Sequence, residues 1–399
     1  MNKTPKLRFK EFSGDWESKK LGEISDIYDG THQTPKYTNN GVKFVSVENI
    51  NNIYKVNKYI SEEDYNKNFK IKPQLNDIFM TRITAGEIGA TAIVDREEDL
   101  AYYVSVALIR SYTEKVNSLF LTKCIASKYF KRELNKRIIH VAFPKKINLG
   151  DIGDCGVKLP NLEEQEKIAS FFSLIDDKIS LQSEKVETLK EYKKGMMQKI
   201  FSRELRFKDD EGRDYPEWEE KKLEEIATIY AGKRKLLSAS GDYVIMDMGS
   251  VNSDGNILAH KKTEDSEDIL LKGDLVMPKD DIGGGFIIGK TAYIHEDNKY
   301  VLGDHVYRIR FNNDFSLFMS YQINSPLINN QLKRKVTGSA QLGINTKSVS
   351  EQKLFVPHKD EQSKIGNLLL NIDLKILKEL EKLNSLNEYK KGLLQQMFV

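Results

Sequence analysis

Leu159-Pro160-Asn161-Leu162-Glu163-Glu164-Gln165-Glu166-Lys167-Ile168 opens a stretch that runs to Ser202 with no further proline and one glycine. The same wording returns 197 residues later, as Val356-Pro357 and then Glu361-Gln362-Ser363-Lys364-Ile365. Steps of four and three from Ile168 reach Phe172, Ile175, Ile179, Gln182, Val186, Leu189, Lys193, Met196 and Ile200. From Ile365 they reach Leu369, Ile372, Ile376, Glu379, Leu383, Leu386, Lys390, Leu393 and Met397. Both series are apolar apart from two breaks, and the breaks fall in the same two places. This is the a/d seam of a coiled coil. Forty residues at ~1.5 Å each reach ~60 Å, too long for one small domain to cover, so the two helices are expected to bury their seams against each other. Between Leu162 and Phe201 eight acids face seven bases, a mixed solvated surface rather than a phosphate-binding one.

Outward from these helices the chain is written twice. Leu7-Arg8-Phe9-Lys10 recurs as Leu205-Arg206-Phe207-Lys208, Trp16-Glu17-Ser18-Lys19-Lys20-Leu21 as Trp218-Glu219-Glu220-Lys221-Lys222-Leu223, and Glu191-Tyr192-Lys193-Lys194-Gly195 as Glu388-Tyr389-Lys390-Lys391-Gly392. So long a period marks a duplicated domain-plus-helix unit, not a solenoid. The expected layout is a mixed domain at 1–160, a helical spacer at 161–202, a second domain at 203–357 and a second spacer at 358–399. Each domain mixes strand-like runs (42–47, 102–109, 243–247) with helical stretches near Leu119–Ile139 and Phe315–Val336. The first helix leads from domain one to domain two and the second must run back. The pair is therefore antiparallel, with a pseudo-two-fold axis and the C-terminus beside the N-terminal segment.

Composition narrows the function. The chain has 399 residues, room for two to four domains at roughly 100–200 residues each. A net charge of +3 excludes a uniformly basic nucleic-acid coat, so any DNA-binding surface is a local patch. No apolar run is long enough to span a membrane, and Met1-Asn2-Lys3-Thr4-Pro5-Lys6 leads into no apolar segment, so a soluble cytoplasmic protein is expected. Cys124 and Cys155 make neither a disulfide framework nor a zinc quartet.

Catalytic motifs fare poorly. Gly284-Gly285-Phe286-Ile287-Ile288-Gly289-Lys290-Thr291 fits GxxxxGK[ST], but its variable positions suit a strand, strand-like residues follow, and the first copy has Ala90 in place of the lysine. A hairpin is the better reading. The six histidines have no metal-ligand spacing, with His305 in a strand-like run, and no Pro-Pro pair exists to build the loop of an amino-methyltransferase.

The basic residues are more telling. From Lys123 to Lys146 eight bases accompany one acid, Glu133, and from Phe315 to Ser350 four bases accompany none, with Lys136-Arg137 and Lys333-Arg334 read as equivalent. Lys136, Arg137, Lys145, Lys146, Lys333, Arg334 and Lys347 are therefore candidates for DNA phosphates. Thr31, His32, Gln33, Arg82, Lys233, Arg234, Lys279 and Gln341, with Lys36 and Lys235 beside them, are candidates for base edges or nearby phosphates. Their frames repeat while the loops differ, as two readers of different sequences would show, and as neutral drift would also show.

The two Pro…Glu-Gln…long-helix segments resemble those of the specificity subunit of type I restriction–modification systems. The Gly30-Thr31 to Pro35 loop and Gly86-Glu87-Ile88-Gly89 resemble that family's recognition domains. The second copy, Gly232-Lys233-Arg234-Lys235, lacks the Thr-Pro. The resemblance implies a non-catalytic DNA reader whose two α/β (α+β) target recognition domains grip the halves of a split, asymmetric target, held apart by the coiled coil. It also implies two adenine-methyltransferase subunits and motor-nuclease subunits as partners, with S-adenosylmethionine, ATP and Mg²⁺ on those partners. The rival readings are an enzyme acting alone and an architectural coiled-coil protein binding DNA without sequence preference.

Overall fold

The computed structural model describes residues 4–312, 316–339 and 341–399, so Phe315, at one edge of a predicted helix, lies outside the described residues. The chain forms two compact units, Met1–Ser183 with Glu381–Val399, and Glu184–Leu380. The two long helices, Leu162–Phe201 and Lys359–Met397, each contribute to both units. Among the described residues no helix is long and apolar enough to cross a membrane.

In the first unit, Ser25–Asp29, Val106–Ser111, Ile78–Thr81 and Thr91–Ile93 form an antiparallel four-stranded sheet in that order. A three-stranded sheet runs Tyr59–Ile60, Val42–Val45, Leu100–Tyr102, its last pair parallel. Two ribbons complete it, Glu17–Lys20 with Gly156–Leu159 and Ile83–Thr84 with Lys145–Lys146. The second unit repeats this strand for strand, with Ala227–Ala231, Val306–Phe311, Leu275–Pro278 and Ala292–Tyr293 as its four-stranded sheet.

Two expectations need correction. The run 102–109 is two strands in different sheets, because the chain turns at 103–105, where Val106 N–H donates to the Tyr103 carbonyl (3.0 Å). The single helical stretch expected over 119–139 is two helices, Ser118–Ala126 and Lys128–Asn135, separated at Ser127, whose hydroxyl accepts from Phe130 N–H. In the second unit Ser325-Pro326 makes the same break, before Pro326–Lys333.

Each unit has two cores. One fills the space between the two sheets, with Phe44, Phe79, Tyr102 and Leu108 in the first unit. The other packs the helices on the far face of the four-stranded sheet and takes in the long helices. Phe172, Phe398, Phe120 and Trp16 form it in the first unit, and Leu369, Phe201, Phe318 and Trp218 in the second.

The seam is where the heptads place it. Ile168, Phe172, Ile175, Val186, Ile365, Leu369, Ile372 and Ile376 are buried, and Ile179, Leu189, Leu383 and Leu386 half-buried. Within the first unit Phe172 meets Phe398 (ring centroids 6.0 Å) and Asp176 meets Lys390 (2.6 Å), so rising numbers meet falling ones. Within the second, Lys185 meets Glu379 (3.1 Å) and Lys193 meets Asp373 (2.6 Å), again antiparallel. The polar breaks at Glu379, Lys193 and Lys390 thus carry interhelical ion pairs. Lys193–Asp373 and Lys390–Asp176 are the same pair in the two copies.

The C-terminus lies beside the N-terminal segment as expected. Leu7 N–H donates to Gln396 O (3.0 Å), just as Leu205 N–H donates to Lys199 O (3.0 Å) through continuous chain. Phe398 packs on Phe120 (5.4 Å) where Phe201 packs on Phe318 (5.8 Å). Phe398→Ala is therefore expected to destabilise the first unit by about 3 kcal/mol, read in urea titrations as loss of that unit's transition ahead of the second.

Lys123 (2.5 Å) and Lys390 (2.6 Å) both pair with Asp176. Burial alone would push that carboxyl up, but hydrogen bonds from the two lysines outweigh it and hold it below the usual carboxylate range. A depressed carboxylate stabilises the fold above its unfolded pKa, about 3.9, and that contribution is lost as pH falls through the lower folded value. Asp176→Asn should melt below wild type at pH 7, and the gap in melting temperature should close on acidification toward about pH 3.

Candidate nucleic-acid interface

Several of the candidate side chains gather where Ser25–Asp29 and Ile78–Thr81 end and the turn 103–105 begins. Gly30 starts the first loop because the chain passes so close to the turn: a Cβ there would lie 2.5 Å from the Tyr103 carbonyl carbon. Thr31 N–H then donates to Tyr102 O (3.1 Å), and the Thr31 hydroxyl lies 3.3 Å from the Gln33 carbonyl. Asp29 ties the loop to its neighbour, with Arg82 Nη1 2.7 Å from Oδ1 and His32 Nε2 2.8 Å from Oδ2.

Arg82 is 7% exposed and donates also to Val104 O and Ile147 O (both 3.2 Å). This corrects its assignment to base edges or nearby phosphates. Its guanidinium joins three loops and is nearly closed to solvent, so it ties Asp29, and through it His32, to the start of the 147 segment. In the second unit Lys279 takes its place, since Lys279 N–H donates to His305 O as Arg82 N–H donates to Ser105 O. Ala231 replaces Asp29 at the same point of the sheet, so the ion pair is gone. The corresponding carbonyl, Ile344 O, instead accepts from the Tyr307 hydroxyl (3.0 Å).

Lys235 is a second correction. Its side chain is 2% exposed, between Asp265 (3.3 Å) and Asp268 (3.5 Å), and it pins its loop from inside. His305 is not a strand residue but a left-handed turn residue (φ +61°) ahead of Val306, with Nδ1 2.6 Å from Asp280 Oδ2.

The basic clusters also sort differently from their sequence. Glu133 accepts from Lys136 (2.6 Å) and Arg137 (2.9 Å), and these bonds, led by that of Lys136, hold it below the usual carboxylate range. Lys136 and Arg137 are thus partly neutralised. They also align one residue away from the expected register: Lys136 and Arg334 cap equivalent helices, which makes Arg137 the counterpart of Lys335. Lys335 donates to Ser348 O and Gln352 Oε1. Lys279 has a long contact with Asp280 (4.0 Å), and Lys347 one with Glu351 (3.9 Å). Among the described residues, Lys36, Lys145, Lys146, Lys233 and Arg234 are exposed without a carboxylate partner, as is Arg334, with Lys333 half-buried beside it. Gln341 is exposed at the tip of the second unit's hairpin, next to Leu342–Gly343.

Neither cysteine has reactive character. Burial pushes the Cys124 thiol up to about 12 and the Cys155 thiol to about 11. The GxxxxGKT stretch is a glycine-rich turn before the strand Ala292–Tyr293, with Lys290 donating to Asn324 O (3.1 Å), so no helix N-terminus faces a phosphate site there.

Residues 13–191 and 215–388 each match the type I restriction modification DNA specificity domain. The chain belongs to this family. Two relatives from Methanocaldococcus jannaschii are 27% identical to it: the type I restriction enzyme MjaVIII specificity subunit over 211 residues, and a putative type I restriction enzyme MjaX specificity subunit over 229. These matches cover 50% and 54% of this chain and 48% and 53% of the relatives, so the chain spans about half the length of the curated relatives it matches. The fold is that of the type I restriction–modification S subunit from M. genitalium, with a TM-score of 0.63 at 16% identity over 99% of both chains. A second structure, from work on complex assembly and conformational transition of the type I system, aligns at 0.56 with 14% identity over 95% of this chain and 96% of that one.

The geometry separates two kinds of cation. Lys145→Ala with Lys146→Ala is expected to lower DNA affinity and to reduce the salt slope by about 0.9 for each phosphate no longer neutralised, leaving the melting temperature unchanged. Arg82→Ala should instead cost about 2 kcal/mol of stability in the first unit, read by denaturant titration.

Proposed function

We propose that this chain is the non-catalytic DNA-reading subunit of a type I restriction–modification system. What carries the proposal is the pairing of one scaffold with two loop sets. Strand order and helix docking are the same in both units, while the loops at the sheet ends differ in charge and size. Two readers of different half-sites would keep the scaffold and diverge in those loops. In this reading each unit takes one half of a split, asymmetric target, and the antiparallel helices hold the readers at a fixed spacing, the half-sites being ~34–36 Å or a multiple apart on B-DNA.

Adenine-methyltransferase subunits would dock beside each half-site, and motor-nuclease subunits would complete the restriction complex in the cytoplasm. S-adenosylmethionine, ATP and Mg²⁺ would act on those partners. This chain supplies position: its loops select the site and its helices set where the partners stand.

The test is adenine-methylation mapping in cells expressing the methyltransferase partner with and without this chain. A bipartite motif is expected only when the chain is present, and replacing residues 1–160 with another recognition domain should change one half of it. A motif independent of the chain, or DNA binding with no preference between sequences, would sink the proposal.

A further inference from the structure

Val141 and Phe143 are the most exposed large apolar side chains among the described residues, at 97% and 93%. They do not hang on a loose loop. Ile139 N–H donates to Lys146 O (2.8 Å), and Lys145–Lys146 pairs with Ile83–Thr84, so the two side chains ride the tip of a short hairpin built onto a third strand. The hairpin is pinned at its base, where Ile147 is fully buried, donates its N–H to Arg82 O (3.0 Å) and accepts from Arg82 Nε. From Leu134 to Gly150 there is no acid, and Lys145 and Lys146 follow the tip directly.

An apolar tip carried on a paired hairpin and followed by unpaired cations suits a surface with dense negative charge outside and apolar groups within. Duplex DNA is such a surface. Its major groove is wide enough for a two-stranded ribbon, and the thymine C5-methyl is the apolar group displayed on its base edges. We infer that the 139–146 hairpin enters the major groove, where Val141 and Phe143 read thymine methyl groups while Lys145 and Lys146 hold the flanking phosphates.

The inference rests on the DNA-reading function proposed above and deepens it by naming what the first unit recognises. It is specific to that unit. The corresponding hairpin of the second unit, closed by Thr337 and Gly343, is one residue shorter and carries Gly338, Ser339 and Gln341.

The experiment uses the full chain with its methyltransferase partner and a duplex carrying the mapped target. Each thymine of the first unit's half-site is replaced in turn by uracil, which removes only the methyl group. Wild type should bind about fourfold more weakly at one or two of these positions, the value of one buried methyl. A Val141→Ala/Phe143→Ala double variant should bind the thymine duplex weakly and show no thymine–uracil difference there. Both side chains are solvent-exposed, so an unchanged melting curve checks that the variant is folded. Thymine–uracil neutrality in wild type, or discrimination that persists in the variant, overturns the inference. So does a rise in 2-aminopurine emission without a thymine–uracil difference, which marks a wedge between bases. If wild type does not distinguish the target from a scrambled duplex, it is the DNA-reading function itself that fails.

Discussion

Each long helix starts from a buried carboxylate. Glu164 and Glu361, with side chains 1% and 0% exposed, pair with Arg8 (2.7 Å) and Arg206 (2.9 Å) from the segment ahead of each domain. A carboxylate removed from water is tolerated only when paired and hydrogen-bonded, so each glutamate admits one arrangement of the segment around it. The neighbouring glutamine completes the lock: Gln165 Nε2 donates to Pro160 O (2.9 Å) and its Oε1 accepts from Asn117 N–H, while Gln362 Nε2 donates to Pro357 O (2.8 Å). The Glu-Gln pair that marks the repeat thus fixes how a helix leaves its domain. A forty-residue helix magnifies any error at its root, so the seam depends on this lock.

On that common frame the units solve the same problems with different atoms. The carbonyl after the hairpin is held by an arginine in one unit (Arg82 on Ile147) and by a tyrosine in the other (Tyr307 on Ile344). The same exchange occurs on the long helices, where Asp176 is met by Lys123 and its counterpart Asp373 by the Tyr321 hydroxyl (2.7 Å). At these two places the acceptor persists and the donor changes. This lets the loops drift in charge and length without loss of the scaffold beneath them.

The site is less legible in the sequence than the fold. Charge runs and polar loops suggest DNA contacts, yet Arg82 and Lys235 are buried ties and Lys136 and Arg137 share Glu133. Asp29, which joins Arg82 to His32, goes unnoticed because a single aspartate at a strand end carries no pattern. The exposed Val141 and Phe143 are equally silent, since an apolar residue in sequence is read as core by default.

The duplication, the long helices, their seam and their antiparallel pairing all follow from the order of residues. They rest on local periodicity and on a repeated offset, and both survive without knowledge of any contact. Which cations are free, how the run 102–109 splits between two sheets, and which apolar residues face water are settled only once the chain has folded. Those outcomes depend on partners brought together from far along the chain, such as Asp29 and Arg82 (53 apart) or Arg82 and Ile147 (65 apart), and no local pattern encodes such a meeting.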